Sequence, residues 1–579
     1  MHKFKLWAPK PESVAVEVSG QEFSMQRGNG GWWTAELADA GPGTDYGFRL
    51  DGGKTIPDPR SPYQPDGIHG LSRLVDHAAF SWSDAQFQAR PLSSGIIYEL
   101  HIGTFTEQGT FLSAIDKLDY LVNLGVTHLE LMPVSEFSGF WGWGYDGVDL
   151  YAPHHSYGPP DNLKALVDAC HAKVLAVLLD VVYNHLGPTG NYLPQFGPYF
   201  TNAYSTPWGS AVNLDHMGSH EARRFLLDNA LMWLRDYHVD GLRLDAIHAF
   251  QDDSAVHFLE QLSFEVENLA AHLGKHFVLI AESDLNDPRV VRSRDAHGFG
   301  MDAQWSDDLH HALHSVLTGE TSGYYEDFGR LQDLATALKE AFVFNGNYSE
   351  HRQRHHGRRP LGVSGHRFLA YSQNHDQIGN RATGQRLSQL ISPGAQKIAA
   401  ALVLTSPFLP MLFMGEEFSA STPFQYFTQH EDRELAHNVS EGRRREFAAF
   451  GWAPTDVPDP QCAETFQRSK LNWHEVSAEQ HADMLAFYRQ LIALRKRIPN
   501  LTDGRLDEVE TCYSEEDRWL VVSRGSIQVV CNFSHSHQTI PVAENVEPLL
   551  SSGSKCEISR ASIQMEPESV AVLRTKFRE

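Results

Sequence analysis

Three carboxylates stand at the ends of short apolar runs: Asp245 in GLRLDA, Glu282 after VLIA, and Asp376 in QNHD after FLAYS. Each costs desolvation free energy in such a place unless a partner or a reaction requires it. Read as a strand, GLRLDA sends Arg243 and Asp245 to one side and Leu242 and Leu244 to the other. The guanidinium then keeps Asp245 ionised, as a nucleophile must be, although a buried structural ion pair explains Arg-x-Asp equally well. Glu282 in a partly apolar mouth has its carboxyl pKa raised, which suits a general acid. Alone, Glu282 reads as an exposed strand end and Asp376 as a polar loop cap. Together the three can converge on one site, and two carboxyls flanking a scissile bond are what glycoside cleavage requires. A spacing of about 5–5.5 Å marks the covalent, retaining route.

The stretch 137–160 adds Phe137, Phe140, Trp141, Trp143, Tyr145, Tyr151 and Tyr157 among glycines and prolines. It is too broken for a helix or a long strand. Read as a loop, it offers sugar rings a flat apolar surface, whereas any one of these aromatics alone reads as packing. Metal chemistry finds less support. His154–His155 and His310–His311 with His314 are possible ligands, but HExxH and CxxC are absent, and a substrate-lining or helix-start reading is preferred. No GxSxG occurs, and no cysteine ends one of the barrel strands predicted below.

The elements that must position these groups alternate. Apolar strands are predicted at 95–105, 126–134, 173–185, 239–247, 277–284, 301–305, 368–376 and 408–415. Between and after them run amphipathic helices at 110–125 (stopped by Gly125), 220–238, 254–274, 393–406 and 482–498. Eight strand–helix units predict an α/β fold, a (β/α)8 TIM barrel with insertions, whose catalytic groups come from the C-terminal strand ends. GxGxxG and GxxxxGK[ST] are missing, which argues against a nucleotide-binding open sheet. Short β-type segments before and after the barrel predict an immunoglobulin-like β-sandwich at 1–92, a barrel at 93–500 and an all-β domain at 501–579. HRQRHHGRRP (351–360) reads as a solvated basic loop between the sixth and seventh strands.

Composition bounds the function. Lys plus Arg number 48 and Asp plus Glu 73, a net charge of 48 − 73 = −25, which argues against nucleic acid or an anionic membrane as partner. No run is long and apolar enough for a membrane span, and MHKFKLWAPKPESV lacks a signal-peptide core. Five scattered cysteines (170, 462, 512, 531, 556) fit unpaired thiols, so a cytoplasmic location is expected.

DVVYNH, GLRLDAIH, the IAES glutamate and QNHDQ, in this order, resemble the four strand-end motifs of the α-amylase superfamily of glycoside hydrolases. The resemblance implies Asp245 as nucleophile, Glu282 as general acid/base and Asp376 as transition-state stabiliser. It implies His185, Arg243 and His375 as groups holding hydroxyls or the nucleophile, His248 as a further substrate contact, and Tyr145 as a stacking platform with Asp146 and Trp143 beside it. FKLWAP, IIYELHIGTFTEQGTF, FWGWGYDGVDLYAPHHSYG, PWGSAVNLDH, AESDLNDPRVV and SQNHDQIGNR narrow the likeness to the maltooligosyltrehalose trehalohydrolase family. That implies hydrolysis of the α-1,4 bond next to the trehalose end of maltooligosyl trehalose. It also implies a substrate site lined by Asp307, Asp308, His311, Gln377 and Asn380. Many amylases hold calcium partly through the asparagine of the first motif, here Asn184, but no Asp-rich calcium loop is present, so neither metal nor cofactor is expected.

Rival readings share the plan. A glycogen branching enzyme keeps the same triad but carries an SHDE-type fourth motif in place of QNHDQIGN. An ordinary amylase or neopullulanase-like hydrolase differs in acting on maltooligosaccharides without a trehalose end. A non-catalytic carbohydrate-binding scaffold is expected to lose at least one triad carboxylate.

Overall fold

The computed structural model describes residues 1–448, 452–553 and 557–576; Cys556 lies outside them. Eight parallel strands close into a barrel, each paired to the next in chain order: Ile97–Leu100, His128–Leu131, Ala176–Val181, Gly241–Leu244, Val278–Ala281, Ala303–Trp305, Phe368–Ala370 and Leu409–Phe413. Closure runs from the eighth strand to the first, with Leu412 opposite Tyr98. Every predicted strand contains one of these.

Alternation along the strands sorts the side chains. Ile97, Leu178, Val278, Ile280, Ala303, Trp305, Leu369, Leu409 and Met411 form a separate apolar cluster, the packed interior expected of such a barrel. Leu179, Leu242, Leu244, Leu279 and Ala281 belong instead to the large cluster shared with the helices and the flanking sheets. Continuing the inward set by two residues reaches Asp180, Arg243, Asp245 and Glu282, so the strand period delivers the charged groups to one end.

Two antiparallel sheets precede the barrel, one of strands His2–Trp7, Trp32–Leu37 and Gln26–Arg27, the other built around Val14–Val18 and Asp45–Leu50. After the barrel come a five-stranded sheet holding Val509–Ser514, Trp519–Arg524, Ile527–Asn532, Ser569–Thr575 and Val546–Ser551, and a smaller three-stranded one.

Several elements depart in detail from the sequence reading. The helix expected at 110–125 is two, Phe111–Ile115 and Leu118–Leu124, because Lys117 N–H donates to Ala114 O (3.0 Å) and tightens the turn between them. It does stop at Gly125, whose φ of 105° is left-handed and where a Cβ would meet Ile492 Cγ2 at 2.6 Å. The helix expected from 254 begins at Phe258, since Asp252 accepts from the Ser254 and Phe258 amides and holds the preceding turn. The aromatic stretch is not all loop: Ser135–Glu136 pairs antiparallel with Asp149–Pro153 in a hairpin. The basic stretch at 351–360 includes part of a second, very short hairpin, Tyr348–Ser349 with Arg354–His355. Among the described cysteines Cys170, Cys462, Cys512 and Cys531 are free. No described helix is long and apolar enough to cross a membrane.

Candidate active site

Arg243, fully buried on the fourth strand, organises the C-terminal mouth. One terminal nitrogen, Nη1, donates to Asp245 Oδ1 (2.9 Å) and to Asp180 Oδ1 and Oδ2 (2.9 and 2.7 Å). The other, Nη2, donates to Glu282 Oε2 (2.9 Å). Asp245 is held from a second side by Asn184, whose Nδ2 donates to Oδ2 (3.1 Å). The Asn184 carbonyl accepts from His185 Nδ1 (2.6 Å), so donor and acceptor of this amide are both committed within the protein.

Glu282 also accepts from the Ala246 amide (2.7 Å). Burial holds its carboxyl above the ordinary range; the charge of Asp245 pushes the same way and that of Arg243 opposes. Asp180, which burial pushes up to about 7 against the pull of Arg243, accepts from the Tyr145 hydroxyl (2.6 Å).

A second chain of contacts fixes Asp376 and its neighbour. Buried His375 donates through Nδ1 to Glu99 Oε1 on the first strand (2.5 Å), and its backbone amide donates to Glu99 Oε2 (3.1 Å). Its Nε2 faces the Tyr145 oxygen (2.8 Å) and lies 3.4 Å from Asp376 Oδ2. Burial lowers the basicity of this imidazole, but Asp376 and Glu99 outweigh it and hold the ring up to about 9. An imidazolium thus sits between two carboxylates, with both N–H groups donating. Asn380 Nδ2 donates to Asp376 Oδ1 (3.2 Å).

Over these groups opens a cavity of about 470 Å³. Of the residues named from sequence, Asp245, Glu282, Asp376, His185, His248, His375, Tyr145, Asp146, Trp143 and Asn380 line it. Arg243 lies beneath, on the carboxylates. Trp143 is fixed by its Nε1–H on Gln425 O (3.0 Å), and its ring lies so close to Gly379 that a Cβ there would fall 1.9 Å from Cζ2. Tyr145 stacks on His375 (ring centroids 5.1 Å apart, 22° between planes).

Other named residues stand outside the lining. Asp307 accepts from the Tyr371 hydroxyl and is pushed up to about 7, mainly by burial, with the charges of Glu282 and Asp376 adding to it. Asp308, expected to line the substrate site, turns away from it: Oδ2 accepts from Asn286 Nδ2 and from the Val343 and Phe344 amides, tying down the chain after the next helix. His311 is packed among Tyr324, Tyr325 and Phe328, and burial drives its pKa down to about 3. Gln377 Oε1 accepts from the Tyr325 hydroxyl (3.4 Å).

The aromatic surface read into 137–160 is also narrower than expected. Phe137, Trp143 and Tyr145 line the cavity. Tyr151 instead donates to Phe225 O, Tyr157 packs against His101, Trp141 stacks on Phe466 and Phe140 stands exposed. The hairpin pairing turns some of these rings into core.

Several lining groups were not among the residues singled out from the sequence. Trp208 caps a hairpin tip and stacks on His185 (4.6 Å, 6°), while Tyr426, Phe427 and Thr428 come from a long irregular connection after the eighth strand. A second cavity of about 680 Å³ shares Asp146, His185, Trp208 and Tyr426 with the first. Asp180 and Glu99 were missed despite a readable signal, a carboxylate at an inward position of an apolar strand.

Known proteins resemble this chain over nearly its whole length. The alpha amylase catalytic domain family matches residues 78–202. A malto-oligosyltrehalose trehalohydrolase of Rhizobium sp. is 48% identical over 99% of this chain and 97% of its own length. One from Mycobacterium tuberculosis is 47% identical over 99% of each. A 1,4-alpha-glucan branching enzyme of Saccharophagus degradans is far more distant, 27% identical over 84% of this chain and 70% of its own. Among solved structures, a candidate alpha amylase from Salmonella typhimurium superposes with a TM-score of 0.91 at 38% identity, covering 99% of this chain and 97% of that one.

Proposed function

The chain belongs to the malto-oligosyltrehalose trehalohydrolase family, within the alpha amylase class of glycoside hydrolases, and from that premise we propose that it hydrolyses the α-1,4-glucosidic bond next to the trehalose end of maltooligosyl trehalose. The observation that carries the reading is Arg243, whose two terminal nitrogens hold Asp245 and Glu282 side by side beneath the cavity. Sharing one guanidinium suits the narrow carboxyl spacing of a retaining enzyme, about 5–5.5 Å, rather than the wider gap of about 6.5–9.5 Å that admits a water.

Asp245 attacks the anomeric carbon as the bond to the trehalose oxygen breaks, and Glu282 gives that oxygen its proton. Free trehalose leaves, and a glycosyl ester remains on Asp245. Glu282, now ionised, takes a proton from water, whose oxygen attacks the same carbon and releases the carboxylate. Raising the Glu282 carboxyl keeps a proton available for the first step. Asp376 faces the oxocarbenium-like centre, and the His375 imidazolium beside it holds that carboxylate and the Tyr145 hydroxyl in place. Trp143 and Tyr145 supply apolar faces for sugar rings. An oligosaccharide is the partner this reading requires, and the free cysteines are those expected of a reducing, cytoplasmic location.

Incubation with a defined maltooligosyl trehalose tests the reading. Free trehalose with retained anomeric configuration in the other product is the expected outcome. New α-1,6 branches on amylose, with no trehalose released, would replace this reading by a transferase.

A further inference from the structure

Outside the catalytic cavity, the hairpin that carries Trp143 and Tyr145 between its strands gathers three metal-ligating side chains at its base. Glu136 comes from the first strand of the hairpin, and His154 and His155 follow directly after the second. One ligand atom of each lies within 4.8 Å of the others. Glu136 Oε1 is 2.8 Å from His155 Nδ1 and 3.2 Å from His154 Nδ1. Two ligand atoms on one zinc ion, each about 2.0–2.1 Å from it at the tetrahedral angle, stand roughly 3.3 Å apart.

The state of His154 is what an ion pair alone leaves unexplained. Its side chain is completely buried and its ring is stacked on Phe137 (3.8 Å, 19°); Nδ1 meets only the Glu136 carboxylate, 3.2 Å away, and Nε2 has no hydrogen-bond partner. Buried imidazoles in folded proteins satisfy their nitrogens. Here Nδ1 is turned instead toward a carboxylate oxygen already occupied by His155. Two imidazoles and one carboxylate form a common zinc ligand set, with the fourth position left to water. Glu136 Oε2 accepts from the His155 backbone amide (2.8 Å), which fixes the carboxylate for this use. His155, 17% exposed at its side chain, provides the path in.

We propose that Glu136, His154 and His155 bind one divalent transition-metal ion of the zinc type, which pins the hairpin strands that frame Trp143 and Tyr145. The ion takes no part in glycoside cleavage.

Chelator-treated full-length protein titrated with Co2+ tests the site through its visible absorption. One saturable equivalent per chain with the band intensity of a low-coordinate ion is expected, displaced by Zn2+ and lost in His154→Ala and Glu136→Gln. No saturable binding, or the same equivalent in both variants, overturns the proposal. Zn2+ is further expected to raise the Tm of wild type but not of His155→Asn. Wild-type crystals grown with Zn2+ need no variant to fold: an anomalous peak at the zinc edge is expected among these three side chains, and its absence there overturns the proposal whatever the variants do.

Discussion

Arg243 with Asp180, Asp245 and Glu282, and Glu136 with His154 and His155, are both buried charged groups, and they are balanced by different means. In the first, one guanidinium meets three carboxylates, and the groups ride on adjacent strands of the barrel. In the second, one carboxylate faces two imidazoles on a hairpin, one of which leaves its Nε2 without a hydrogen-bond partner. The strand cluster sets one fixed cation against three carboxylates; the hairpin cluster sets one carboxylate against two titratable imidazoles. A rigid sheet can hold charges for chemistry, whereas a hairpin between the second and third strands gains its order from whatever joins its ends.

The sharpest division between them is in turnover. Glu282→Gln is expected to lower trehalose release about 10²–10⁴-fold while substrate binding persists. The matching change Glu136→Gln should leave kcat close to wild type. Initial rates on maltooligosyl trehalose decide it, and a comparable collapse in both variants would erase the distinction.

Stability divides them next. Arg243→Met strands three buried carboxylates and is expected to cost about 3–5 kcal/mol in denaturant unfolding. In metal-free protein His154→Phe removes one of the two imidazoles that face Glu136, leaves His155 on that carboxylate, and should cost far less. Equal losses would mean that the first cluster is no better compensated than the second.

A finer effect concerns His375. Its folded pKa of about 9 exceeds the ordinary 6.5. The stability it contributes is therefore fully present below pH 6.5 and is lost as pH rises through about 9. Glu99→Gln removes one of the two carboxylates that hold the proton, so the loss should be smaller and complete at lower pH. Unfolding curves between pH 6 and 10 test this; identical pH profiles in the two proteins would remove Glu99 from the account.

What could be read from the chain follows the same division. Asp245 and Glu282 were legible because period-2 alternation carries them inward from Gly241 and Val278, and Asp376 because it follows a strand that keeps the order of the motifs. The eight strands were legible for the same reason. Asp180 and Glu99 obey the alternation equally, as Leu178 and Ile97 show, but their partners Arg243 and His375 come from other strands, and only the closed barrel brings them together. Tyr426 and Phe427 reach the cavity on an irregular segment that has no period, and Trp208 reaches it from the turn of a hairpin. Asp308 has the composition of a site residue and is turned by helix geometry to the Val343 and Phe344 amides. Glu136 lies 19 residues before His155, and only the strand pairing of the hairpin brings the two together.

The contacts from Glu99 through His375, Tyr145, Asp180 and Arg243 to Asp245 and Glu282 have one more consequence. They link the first, seventh, third, fourth and fifth strands, with a residue from the hairpin as one member. Such wiring divides the molecule's evolutionary freedom. Residues on the outer rim, such as Trp208 or Tyr426, can be exchanged one at a time to retune which sugar chain is accepted. A change in the ring must be answered by a second change elsewhere in it, so new specificity should arise by single steps and new chemistry only by paired ones.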